Sequence, residues 1–310
     1  LTINGGAFNF LGNDSSSSSE LAGALTLSTG HNVVTVTPGA GGSTTMTFAS
    51  FARTAGASVL FRGTSLGSAP AADISTIMFN TTPTVIGASG AAGTTTASII
   101  KGAFGDNSLS GNGTDMVVHN LGNTNGIRLL NGAGFSGEYA FTLATNANVK
   151  LSGNVAASTA SINSLISNGY DITNASATIT MASASLAGNI LINSTNNIAG
   201  ASTTIGITTF ELNILATENS TISAIIGTAT TGSLSLGGSG NITLSAANRF
   251  TGATNINGAT LTYGVSNALS SGGVTVNGGT YDIGSFNDTV GAVILQNGTI
   301  TGSTGVLSGT

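Results

Sequence analysis

Eleven carboxylates are the side chains with which this chain could do acid or base chemistry. Cleavage of a glycan by a carboxylate pair needs two carboxyls about 5 to 10 Å apart, with the pKa of one tuned by its surroundings. Most of the eleven, from Asp14 to Asp288, stand alone among turn-forming residues. Asp106 and Asp115 are the close pair, flanked by Asn and Gly, and with Asn107 they form the candidate oxygen ligands for a calcium ion. Solvated turns account for the same residues, and the Gly-Gly-x-Gly-x-Asp nonapeptide of calcium β-rolls is absent. Gly63-Thr64-Ser65-Leu66-Gly67 has the spacing of a nucleophile elbow. That device needs a helix after the serine, and Ser68-Ala69-Pro70 does not start one. His31 and His119 are isolated, too few for a metal cluster or a proton relay. The expectation is therefore no enzyme, no catalytic residue, no cofactor and no metal beyond the candidates Asp106, Asn107 and Asp115.

The elements that would position such residues are short. Charged residues make up 5% of the 310, apolar residues 40%, and there are 46 glycines. A globular surface carries about a quarter charged residues, so hydroxyls and amides must do the solvating here. Disordered chains are poor in β-branched residues, whereas Val, Ile, Leu and Thr run throughout this one. Runs such as Val33 to Val36, Met46 to Phe48, Val59 to Phe61, Met116 to Val118, Ile190 to Ile192 and Phe210 to Leu215 read as strands bounded by Gly, Asn or Ser. No stretch holds a helical period. The six cations are scattered and the net charge is −5, which gives no basic stripe for nucleic acid. Cysteine is absent, excluding disulfides and thiolate metal sites. No run approaches the eighteen or so apolar residues of a membrane span, and no leader is visible. An export signal or anchor is expected outside this segment.

Asn-Gly pairs recur, among them Asn4-Gly5, Asn168-Gly169, Asn257-Gly258, Asn277-Gly278 and Asn297-Gly298. They fit two-residue hairpin turns or the corners of a coil, where Asn and Gly tolerate left-handed backbone. Two features favour corners. Leu1 to Asn9 aligns with Val274 to Asp282, and Gly23 to Leu27 with Gly291 to Leu295, so residues 1–30 and 274–303 occupy corresponding phases of a long repeat. A parallel coil also pairs each backbone with the turns above and below, so its surface needs little charge. At roughly twenty residues a turn the chain would hold about fifteen turns, a rod of very roughly 70 Å.

Gly238 to Gly264 reads GSGNITLSAANRFTGATNINGATLTYG. In its strand around Ile242 and Leu244, its Asn248-x-Phe250-Thr251-Gly252 turn, its Thr254-x-Ile256 strand and its Gly258-x-x-Leu261 step, it resembles the autotransporter-associated β-strand repeat, also called the passenger-associated transport repeat. Residues 232–302 carry the best match, and Arg249 departs from the small or aromatic residue usual there. The resemblance implies a right-handed parallel β-helix exported across a Gram-negative outer membrane and displayed outside the cell.

The expectation is an all-β, right-handed parallel β-helix, one continuous solenoid over 1–310, with 69–137 a less regular, loop-bearing region. Its function would be that of a non-enzymatic extracellular structural protein: a stalk, fibre or coat element that self-associates or continues axially into further repeats. The alternative is an adhesin that holds glycans or surfaces through polar Thr and Asn faces and loops. No nucleic-acid partner is expected.

Overall fold

The computed structural model describes residues 1–119, 125–181, 187–198, 200, 202–207, 209–228 and 230–309. Every regular element among them is a β-strand. The fold is the all-β parallel solenoid expected from the sequence, and connections between parallel strands of one sheet are right-handed as a rule.

The first coil has three turns of three strands each. Thr2–Asn4, Ala7–Leu11 and Ser18–Ala22 make the first turn, Leu25–Thr29, His31–Thr37 and Thr44–Phe48 the second, and Phe51–Arg53, Ser58–Gly63 and Ser75–Phe79 the third. Each strand stacks in parallel on its counterpart, so Phe8, Val34 and Phe61 lie in one column and Ser18, Thr44 and Ser75 in another. Alternation sends Leu25, Leu27, Val34, Phe48, Phe61 and Ile77 inward. The Phe48 and Phe79 rings stack with centroids 5.7 Å apart, and Phe61 meets Phe79 edge-on at 5.9 Å.

The second coil begins at Asn148. Its main face stacks Asn148–Lys150, Ser164–Ile166, Ala187–Ile192, Glu211–Ala216, Ser233–Gly238, Thr254–Asn257, Val274–Asp282 and Val293–Thr301, all parallel. Eight strands at the usual spacing span about 34 Å. After a first step of 16 residues from Asn148 to Ser164, the turns shorten: Ser164 pairs with Asn189, 25 residues on, whereas Asn255 pairs with Thr275, 20 residues on. As they shorten, the third wall built by Ala160–Ile162, Ala177–Met181, Thr203–Gly206 and Ile225–Ile226 stops, and buried Phe250, Ala268 and Leu269 fill that side. Gly238, Gly258, Gly278 and Gly298 recur every twenty residues, all with positive φ, and turn the same corner. Asn257-Gly258 and Asn277-Gly278 are thus corners of a coil.

The pairings do not run in one unbroken stack over 1–310. Ala103–Asp106 adds in parallel to Ser58–Gly63, but Asp115–His119 then pairs antiparallel to it, and Ile127–Leu129 antiparallel to that. With the Val85–Ile86 and Ile99–Ile100 pair, these are the antiparallel strand pairings of the described residues, and all fall within 69–137. They reverse the chain, so the second coil returns alongside the first. The terminal turns therefore adjoin: Asn277 lies against Gly5 and Gly30, while Asn189 bonds Gly102 and Asn148 bonds Ala97 toward the other end. Residues 1–30 and 274–303 occupy these adjoining outer turns, and Gly5 and Gly278 turn corresponding corners.

Candidate functional site

The most elaborate chemistry of the molecule lies in the seam between the coils. A strand covered on both faces loses its alternation, and Ala187–Ile192 and Glu211–Ala216 are buried at every position. Ile190, Ile192, Leu212 and Ile214 fill the second coil. Leu191 and Leu215, with Ile166, point the other way and pack with Leu60, Phe104, Met116 and Val118 from the first coil and its extension.

Beside this apolar strip runs an in-register polar column: Asn148, Ser164, Asn189, Asn213, Ser235 and Asn255. This column, together with Asn257 and Asn277 farther along the same face, meets the corner of the first coil formed by Gly5, Gly30, Gly56 and Gly102, each with φ between +66° and +89°. No side chain stands at those corners, so the amides reach bare backbone. The Gly102 N–H donates to Asn189 Oδ1 at 3.2 Å. The Gly56 carbonyl accepts from Ser235 Oγ at 2.9 Å and from Asn257 Nδ2 at 2.6 Å. A methyl group added at Gly56 would come within 2.8 Å of the Asn255 amide.

Three ion pairs form among the described residues. Arg53 Nη2 donates to Glu211 Oε2 at 2.7 Å and to Asn213 Oδ1 at 3.1 Å, and its Nε donates to the Ala57 carbonyl at 2.8 Å. The other Glu211 oxygen accepts the Gly56 N–H. Arg128 and Glu138 form a fully buried two-pronged pair, both contacts 2.6 Å, with the Arg128 guanidinium 3.9 Å above the Phe135 ring. Burial pushes the Glu138 carboxyl up, but hydrogen bonds from Arg128 and from the Gly93 and Asn131 amides outweigh it and leave the pKa below the usual carboxylate range. In the third pair Lys150 Nζ lies 3.1 Å from Asp115.

Where the Arg53 and Glu211 pair meets solvent, a cleft of about 290 Å³ opens, lined by Phe51, Ala52, Arg53, Ala55, Thr84 and Lys101. The Lys101 backbone N–H bonds the Thr84 carbonyl at 3.0 Å, which fixes one wall. Burial, and then the Arg53 charge, lower the Lys101 pKa, while Glu211 raises it in part. Arg53 and Glu211 are 158 residues apart. No local spacing announces them, and they were not among the candidates taken from the sequence.

The three candidate metal ligands have separate partners. Asp106 accepts the N–H groups of Ser108 at 2.9 Å and Gly113 at 3.0 Å, closing its own loop. Asn107 accepts from the Leu66 N–H at 3.0 Å. Asp115 is bonded by the Tyr139 hydroxyl and by Lys150; burial raises its pKa, with Lys150 and Tyr139 pulling the other way. Among the described residues no three His, Cys, Asp or Glu side chains are grouped as for a metal ion. Ser65 does stand on a strained turn, φ +54°, after the strand Ser58–Gly63, but turn residues follow it where an elbow has a helix. His31 Nδ1 is 2.9 Å from Ser58 Oγ, beneath Gly237 of the second coil. His119 ends its strand with Nδ1 buried and unpartnered. Among the described residues no helix is long and apolar enough to cross a membrane.

Compared with known proteins, the chain matches no family model, no curated protein and no solved structure.

Proposed function

We propose that this chain is a non-enzymatic structural element of a bacterial surface protein, exported and displayed outside the cell as part of a stalk, fibre or coat. The observation that carries this reading is the seam: amide column, glycine corners and the Arg53 and Glu211 pair bind two solenoids into one stiff unit. Supporting it are the resemblance of residues 232–302 to the autotransporter-associated repeat and a surface solvated by hydroxyls and amides.

The outer turns support axial continuation or self-association. Among the described residues Val293–Thr301 has a strand partner on one side alone and leaves Leu295 53% exposed, and the first turn leaves Leu11 64% and Leu21 67% exposed. Open strand edges with apolar side chains are templates for further pairing. Antibodies against the chain, applied to intact and unpermeabilised cells that produce it, test the reading. Surface labelling is expected; labelling that appears only after lysis overturns it.

A further inference from the structure

The cleft beside Arg53 is chemically unfinished. Two of the chain's six cations meet there, and the one carboxylate in contact, Glu211, is engaged by Arg53 and the Gly56 N–H. The guanidinium is held in place by the Ala57 carbonyl, Glu211 and Asn213. It packs close against Gly102, where an added Cβ would come within 2.7 Å of Nε. Arg53 Nη1 and Lys101 Nζ have no protein acceptor among the described residues, and both residues line the opening. A protein of net charge −5 thus keeps two cations together with one counter-ion, which contacts Arg53, an arrangement that a bound anion would complete.

The remaining lining narrows the anion's chemistry. Phe51, Ala52 and Ala55 form an apolar patch, and Thr84 is exposed at the rim where its hydroxyl is available. A fixed guanidinium suits a planar carboxylate, an apolar wall suits the C–H face of a ring, and a hydroxyl suits a hydroxyl. The Glu211 carboxylate behind Arg53 disfavours a multiply charged ligand such as phosphate. The volume accommodates a ligand on the order of one sugar ring.

We infer that this cleft binds an acidic sugar, its carboxylate held by Arg53 and Lys101 and its ring lying against Phe51. The inference stands apart from the structural reading, because two coils joined by the same seam would serve as a stalk with the cleft empty. The test is calorimetric or NMR titration of the whole chain with methyl galacturonoside, which carries one ring and one carboxylate, with the neutral methyl galactoside, and with inorganic phosphate. Saturable binding of the methyl galacturonoside is expected, at least tenfold tighter than either of the others and weakened by added salt. Lys101→Gln and Thr84→Val, each checked for an unchanged melting temperature, are expected to weaken it by tenfold or more and by severalfold, while Arg249→Gln leaves it unchanged. No binding of the methyl galacturonoside at millimolar concentration, equal binding of the neutral sugar, or phosphate binding as tightly as the uronate would each overturn the inference.

Discussion

At the scale of single residues, the Arg53 and Glu211 pair shows how a charge-poor chain uses the charges it has. Their side chains are 7% and 4% exposed, so removing one partner strands the other with little access to water. Glu211→Leu is expected to cost about 3 to 5 kcal/mol in denaturant unfolding, while the double variant Arg53→Met with Glu211→Leu recovers most of that loss. A double variant no more stable than the single one would show that the pair is not what holds this part of the seam. The same scale marks a limit of sequence reading. Asp106, Asn107 and Asp115 drew notice because they are close along the chain, yet each satisfies a separate donor. Arg53, Glu211 and Lys101 are brought together by chain reversal, which residue type and spacing do not record.

Strands and corners were far more legible. Val33 to Val36, Val59 to Phe61 and Ile190 to Ile192 all fall within strands. Asn257-Gly258 and Asn277-Gly278 fall at corners with positive φ, because those residues tolerate that backbone. A finer signal was present as well. Ile190-Leu191-Ile192 and Ile214-Leu215-Ala216 are apolar at consecutive positions, the mark of a strand covered on both faces; the rule gives the second covering but not its identity. A pair of substitutions separates the faces. Ile190→Asp places a charge inside the second coil and is expected to prevent its folding, whereas Leu191→Asp opens the seam and leaves both coils formed. Hydrogen exchange checks this: for Leu191→Asp, faster exchange is expected at Gly56 and Gly102 while the Val274–Asp282 strand stays protected. Global loss of protection in both variants would mean that neither coil survives without the other.

On the scale of the whole molecule, the seam couples stability to pH through His31. Burial, and secondarily the Arg62 charge, bring its pKa down from 6.5 to about 4. Between those values an unfolded chain takes up a proton that the folded one refuses, so stability is flat above pH 6.5, falls as pH drops toward 4, and levels off below. The loss is at most about 3 kcal/mol. Asp115, whose folded pKa is raised, acts in the opposite sense at acid pH. Urea midpoints measured from pH 7.5 to 4.0 are expected to decline less in His31→Gln; parallel declines in the two proteins would show that the loss arises elsewhere. Parallel stacking and an all-β class were readable from composition and repeats. The folding back was not, because the reversal depends on three antiparallel pairings in the least regular stretch of the chain.

That folding back also has a mechanical side. The Thr2–Asn4 and Val293–Thr301 strands lie at one end, and the reversal lies at the other. Tension drawn between them would not load the hydrogen-bonded stack in shear, the direction in which a solenoid resists most. It would peel turns away one at a time, each separation releasing a few bonds before the next is strained. Anchored through that end, the pair of coils works as a bracket standing out from its attachment, rigid against bending and sideways push, rather than as a link that carries a pull along its length.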